Sequence, residues 1–131
     1  MIDSNPLDLS ILAMDQYNVR ILLAINRDAK SVQELSERFD IPIAECYRKI
    51  HSLEKAGLIE KVGRILTSDG KRRSIYESTI KNINIDIVDT VIYIKVIKKN
   101  NESQVIEGKF SPFMPDEEAG GLLFKRKRRT M

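Results

Sequence analysis

Two short amphipathic patterns, separated only by Asp40, Ile41 and Pro42, constrain the fold more than any other feature of this sequence. The first is SVQELSERF. Ser31 followed three positions later by Glu34 is a capping box, in which the hydroxyl takes an orphan amide at the helix start and the carboxylate reaches back. Val32, Leu35 and Phe39 then fall on one face of a helix of about two turns. Pro42 suits the first turn of a second helix, because its missing N–H would be unpaired there anyway. In that second helix Ile43, Cys46, Ile50 and Leu53 recur at spacings of three and four, and Gly57 supplies a left-handed stop. The spacing therefore predicts two helices joined by a tight turn, the second running over residues 42–56.

An apolar helical pattern precedes this pair. LDLSILAMDQYNVRILLAIN places Leu7, Ile11, Met14, Val19, Leu22, Leu23 and Ile25 three or four apart, with a break expected at Met14 or Asp15 and an end near Asn26 and Asp28. After Gly57 the period changes to that of strands. LIEKVGRIL alternates loosely, SDGK is a turn signal, and RRSIYES returns, which describes a hairpin with a basic tip. A second hairpin is expected from IKNINIDI and VIYIKVI around a turn near Asp89, with Ile83, Ile85 and Ile87 on one face. The segment from residue 100 carries Pro112, Pro115, Gly120, Gly121, the acidic run Asp116, Glu117 and Glu118, and a terminal KRKRR. It has little periodicity and is expected to be a flexible tail. The resulting division is residues 1–79, 80–99 and 100–131.

Composition narrows the classes of function. The chain has 131 residues, enough for one ordinary domain with appendages. Its 42% apolar and 31% charged residues fit a globular protein. Lys81, Asn82, Asn84, Asp86 and Asp89 interrupt the most apolar stretch, so no run reaches the roughly 18 apolar residues of a membrane span. The N-terminus lacks a signal-peptide pattern, and the single Cys46 cannot form an intramolecular disulfide, so a cytoplasmic setting is expected. Cys46 and the lone His51 do not make a metal site, and no catalytic or cofactor motif is present. Neither an enzyme nor a cofactor is expected.

The net charge of +3 is modest, but its distribution is uneven. Residues 1–47 hold four bases against eight acids, whereas residues 48–81 hold nine bases against four acids. One basic and one acidic region would suit a protein oriented by a phosphate backbone, although ordinary surface charge also clusters by chance.

The stretches VRILLAI, SVQELSERFDIPIAECYRKIHSLEKAGLIEKV and TSDGKRRSIYEST resemble the archaeal members of the arsenic-repressor-like (ArsR-like) winged-helix family, over roughly residues 15–79. The resemblance implies an α+β winged helix-turn-helix, with a three-helix core and a β-hairpin wing, followed here by the second hairpin and the tail. It also implies a transcriptional regulator that binds double-stranded DNA, with the helix over residues 42–56 in the major groove and the wing on the backbone. Metal-sensing members carry paired cysteines or clustered histidines and carboxylates, which this sequence lacks, and no small-molecule effector is identifiable. The leucine-responsive regulator family has a similar opening, but its ligand-binding partner domain would need more chain than remains.

Helical geometry nominates the contact residues independently. At 100° per residue Ala44, Arg48, His51 and Ser52 point away from the apolar face, with Glu45 and Tyr47 on the flanks. Arg48 is the expected base reader, because a guanidinium matches the two acceptors of guanine. Glu45 would accept from cytosine, and Tyr47 would meet a phosphate or a thymine methyl. Lys71, Arg72 and Arg73 at the wing tip are expected to grip phosphates without reading sequence. A homodimer is expected from the apolar positions near Leu7 to Met14 and Val91 to Ile97. Two other functions remain open at this point: a winged helix that docks a protein within a transcription assembly, and a non-specific nucleic-acid binder.

Overall fold

The computed structural model describes residues 5–100, 104–114 and 122–126. Four helices precede six strands: α1 (Pro6–Met14), α2 (Gln16–Ala24), α3 (Val32–Phe39), α4 (Ile43–Lys55), β1 (Ile59–Leu66), β2 (Arg72–Ser78), β3 (Ile80–Val88), β4 (Val91–Lys98), β5 (Gln104–Phe110) and β6 (Leu122–Arg126). The chain divides into two compact units. One holds residues 13–79; the other holds the first turns of α1 together with the described residues from Ile80 onward.

In the first unit, Asp15 makes the break expected between the leading helices. Its carboxylate accepts from the amides of Tyr17 and Asn18, both at 3.1 Å, and so caps α2. Lys49 on α4 donates to the same carboxylate at 3.3 Å, tying the two helices together. Burial pushes this carboxyl upward, but the two amides and the ammonium outweigh it and hold its pKa below the usual value. At the other end of α2 the chain turns into a buried cation. Lys30 is 8% exposed, and its ammonium donates to the carbonyl of Ala24 at 2.9 Å, where the helix leaves carbonyls unpaired.

Helices α3 and α4 form the tight pair. Ser31 caps α3 by accepting from the amide of Glu34 at 3.2 Å. Asp40 ends it in the left-handed conformation at φ 57°, which Asp tolerates better than most residues. The intervening turn is fixed on both sides. The Ser36 hydroxyl donates to the carbonyl of Ile41 at 2.5 Å, and Arg20 reaches from α2 to the carbonyls of Phe39 and Asp40 at 3.4 Å each. Ile41 itself is 2% exposed and plugs the turn into the core. Pro42 lies one position earlier than the sequence suggests. It is the N-cap of α4, with ψ 137°, and the helix begins at Ile43.

Ile21, Ile25, Leu35, Ile41, Cys46, Ile50, Leu53 and Leu58 are all buried in this unit. Each such aliphatic side chain stabilises the fold by about 1.5–3 kcal/mol relative to exposure. Ile43 departs from the expected inward row and is 45% exposed. As the first residue of α4 it precedes the turn where the apolar stripe meets the other helices, so its spacing from Cys46 does not bring it inside. Gly57 stops the helix at φ 83°, as expected.

Strands β1 and β2 form an antiparallel hairpin in which Leu66 pairs with Arg72 and Ile59 with Ser78. Its root is bonded to the helices. Lys30 and Tyr76 exchange backbone hydrogen bonds at 3.1 and 2.9 Å, and the Ser78 amide donates to the Ile25 carbonyl at 3.1 Å. This unit is a winged helix-turn-helix.

The second unit is a four-stranded antiparallel sheet in the order β3-β4-β5-β6. The hairpin of β3 and β4 turns at Asp89, again left-handed at φ 55°. The expectation of a flexible tail from residue 100 is overturned for the described part. β5 pairs with β4, β6 pairs with β5, and Val105 and Ile106 are 8% and 1% exposed. What the sequence suggested as a lone second hairpin is half of a sheet. Pro115, the acidic run 116–118, Gly120, Gly121 and residues 127–129 of the KRKRR run lie outside the described residues. Alternation gives the sheet one apolar face: Ile83, Ile85 and Ile87 stand beside Val96, Ile94 and Ile92, which stand beside Ile106, Gly108 and Phe110.

Candidate nucleic-acid interface

Helix α4 presents its polar side as a row. Cys46, Ile50 and Leu53 seat it in the core, which turns Ala44, Tyr47, Arg48 and His51 outward as exposed residues. Ser52 is half-buried at the edge of the row. The Arg48 side chain keeps 70% of its surface exposed and makes an ion pair with Glu45, one helical turn earlier. An exposed pair of this kind contributes about 0–1 kcal/mol, so it aims the guanidinium while leaving it easy to release. Tyr47 points toward the N-terminus of α3, where its hydroxyl accepts from the Gln33 amide nitrogen at 3.1 Å.

The wing stands beside this row, and between them lies an open cleft of about 190 Å³. Gln33 and Tyr47 line its helical side, and Arg64, Arg72, Arg73, Ser74 and Tyr76 line its wing side. The placement follows from the hairpin register. Arg64 pairs with Ser74, so Arg64, Arg72, Ser74 and Tyr76 occupy one face of the wing. Arg64 and Arg72 are exposed and make no ion pair among the described residues. Burial raises the Tyr76 phenol pKa, and the charge of Glu54 adds to that, so the ring enters the cleft as a neutral donor.

The wing tip is built around Asp69. Its carboxylate accepts from the Thr67 hydroxyl, from Arg73 at 2.7 Å and from the Lys71 amide at 3.1 Å, which together hold its pKa far below the usual carboxylate range. Gly70 completes the turn at φ 82°. Lys71 and Arg72 therefore project as exposed cations, whereas Arg73 has 20% of its side chain exposed and shares its charge with Asp69. Of the three expected wing cations, Arg73 orders the turn and leaves two fully available.

Gln33, Arg64 and Tyr76 are cleft residues that the sequence reading did not single out. Arg64 was countable: once the turn pairs Leu66 with Arg72, stepping back two residues puts Arg64 on the face of Arg72. Cys46 is packed as expected of a small apolar residue. Its thiol donates to the Val32 carbonyl at 3.6 Å, and burial pushes its pKa up to about 11. Among the described residues no three His, Cys, Asp or Glu side chains gather to hold a metal ion, and no helix is long and apolar enough to cross a membrane.

Helices α2 to α4 with a hairpin wing define a winged helix-turn-helix domain, and comparison with known proteins agrees. Residues 14–62 match the family described as "Helix-turn-helix domain". The chain is also 32% identical over 59 residues to the transcriptional regulatory protein DoeX of Halomonas elongata. That match covers 44% of this chain and 37% of the relative's length.

Proposed function

We propose that this chain binds double-stranded DNA in a sequence-specific manner and regulates transcription, as a winged-helix regulator of the arsenic-repressor-like type. Helix α4 enters the major groove with Arg48 toward a base edge, and Ala44, Glu45, Tyr47, His51 and Ser52 line the same contact. The observation that carries this reading is the polar row of α4 lying beside a cleft whose wing side bears two guanidiniums, Arg64 and Arg72, that make no ion pair among the described residues. A DNA strand running along that cleft would place phosphates against Arg64 and Arg72, with Lys71 reaching the neighbouring backbone. The helix-turn-helix match and the regulatory relative support the same assignment.

Selection of bound oligonucleotides from a random duplex pool is the direct test. A base-reading helix enriches a common motif; recovery of unrelated sequences with undiminished affinity would leave only a backbone binder. The cleft makes its own prediction. Arg64→Ala and Arg72→Ala should each weaken binding to all duplexes alike and lower the slope of log affinity against log salt by about 1, as removal of one phosphate contact requires. Arg73→Ala should change the slope less, because its charge is already matched by Asp69. Equal slopes for all three variants would contradict the cleft as a strand track.

A further inference from the structure

The cleft between the α3–α4 pair and the wing carries more positive charge and more donors than one backbone phosphate can use. Its volume is about 190 Å³, below the roughly 300–1,000 Å³ of pockets that enclose drug-sized ligands. Among the described residues that line it, none is acidic. In the hairpin register Arg64 lies opposite Ser74, and Arg72 stands two residues from Ser74 on the same face, so the two arginines are diagonal neighbours about 7–8 Å apart. Like charges so placed repel, and neither has an ion-pair partner among the described residues. Asp69 does not relieve them, because Thr67, the Lys71 amide and Arg73 occupy its carboxylate.

Neutral donors complete the lining. The Tyr47 oxygen accepts from Gln33 at 3.1 Å, and the Tyr76 oxygen is hydrogen-bonded by the Ser74 side chain, so each phenol keeps its own hydrogen for a ligand. A phosphodiester brings one negative charge and two free oxygens to such a place. A phosphomonoester brings about −1.5 to −2 charges and three strongly accepting oxygens. Two guanidiniums and two phenol hydrogens match the second set better than the first.

We propose that this cleft is also a seat for a small phosphomonoester, whose dianion lies between Arg64 and Arg72 and takes hydrogen bonds from Tyr47 and Tyr76. The ligand excludes a DNA strand from the same place and so releases the chain from duplex DNA. That consequence rests on the DNA reading above, whereas binding of the ligand does not. No effector is visible in the sequence because these groups come from α4, β1 and β2 and meet only in the folded unit.

Calorimetric titration of the full chain without DNA, at constant ionic strength, tests the seat with glycerol 3-phosphate as the monoester and dimethyl phosphate as the diester. Glycerol 3-phosphate should saturate one site per chain and bind about tenfold or more tightly than the diester. Arg64→Ala and Arg72→Ala, both at exposed positions, should each weaken it by about tenfold or more, as loss of a charge-assisted hydrogen bond requires. Lys95→Ala removes the same charge from an exposed position of β4 and should leave the affinity unchanged. Saturating glycerol 3-phosphate should also displace a bound duplex, and sodium chloride of equal ionic strength should not.

Absence of saturable binding overturns the proposal, even if duplex binding is lost in the arginine variants. So does equal affinity for the diester, or indifference to both arginine substitutions. Saturation without release, in a chain whose duplex binding does depend on Arg64 and Arg72, overturns the regulatory part. Duplex binding that ignores both arginines while glycerol 3-phosphate binding falls would instead remove the strand track and leave the seat standing.

Discussion

Arg48→Ala is expected to flatten the preference of this chain among duplex sequences, with discrimination at one base pair falling by about 1–3 kcal/mol, or roughly 5- to 150-fold. The size follows from the geometry. Arg48 lies in the first two turns of α4, the part of such a helix that reaches base edges, and its side chain is 70% exposed. The substitution also strands Glu45, whose carboxylate would then face the DNA without its partner. Arg48→Ala should for that reason lower affinity for every sequence as well, and Glu45→Gln in the same chain should restore that uniform part without restoring discrimination. Arg48→Lys gives the sharpest contrast. The charge is kept, so the salt dependence should stay close to that of the parent, but the planar fork that the proposed reading sets against guanine is lost and discrimination should fall with it. Competition binding against a panel of single-base variants of the selected site measures all three substitutions. Unchanged ranking of that panel in Arg48→Ala would remove Arg48 from the reading surface.

The parts of the fold legible in the sequence are those where local chemistry and long-range packing agree. Asp15, Ser31 and Gly57 mark helix ends by their own hydrogen bonds or backbone freedom, and each acts within a few residues of its position. The wing was legible for the same reason, since the Asp69 and Gly70 turn is closed by its own neighbours. The strands beyond residue 100 were hidden because β5 draws its stability from pairing with β4, and QVIEGKF alone carries Gly108 and two charges that read as loop. The site divides along the same line. The outward row of α4 follows from periodicity, whereas the cleft joins α3, α4 and two strands, and only the hairpin register brings Arg64 to the side of Arg72. Ion pairing was equally invisible: nothing in the spacing of Lys71, Arg72 and Arg73 shows which one Asp69 will hold.

Leu53→Ala should produce the largest loss of stability among single truncations on α4, about 2–5 kcal/mol. Leu53 is fully buried, one helical turn from Ile50 and on the side opposite the polar row. Removing its branched end takes away transfer free energy and leaves a cavity that the surrounding helices can collapse into only partly. Against a typical total of about 5–15 kcal/mol for a domain, that loss would bring the unit close to its unfolding threshold. Urea unfolding followed by far-ultraviolet circular dichroism should show a lower midpoint, while the molecules that remain folded keep the parent's ranking of duplex sequences. The comparison with Arg48→Ala separates the two sides of one helix. The inner side should govern how much folded protein exists, and the outer side what that protein selects. A Leu53→Ala chain that kept its midpoint but changed its ranking would mean that α4 is seated by other contacts and that its register on DNA, not its burial, depends on Leu53.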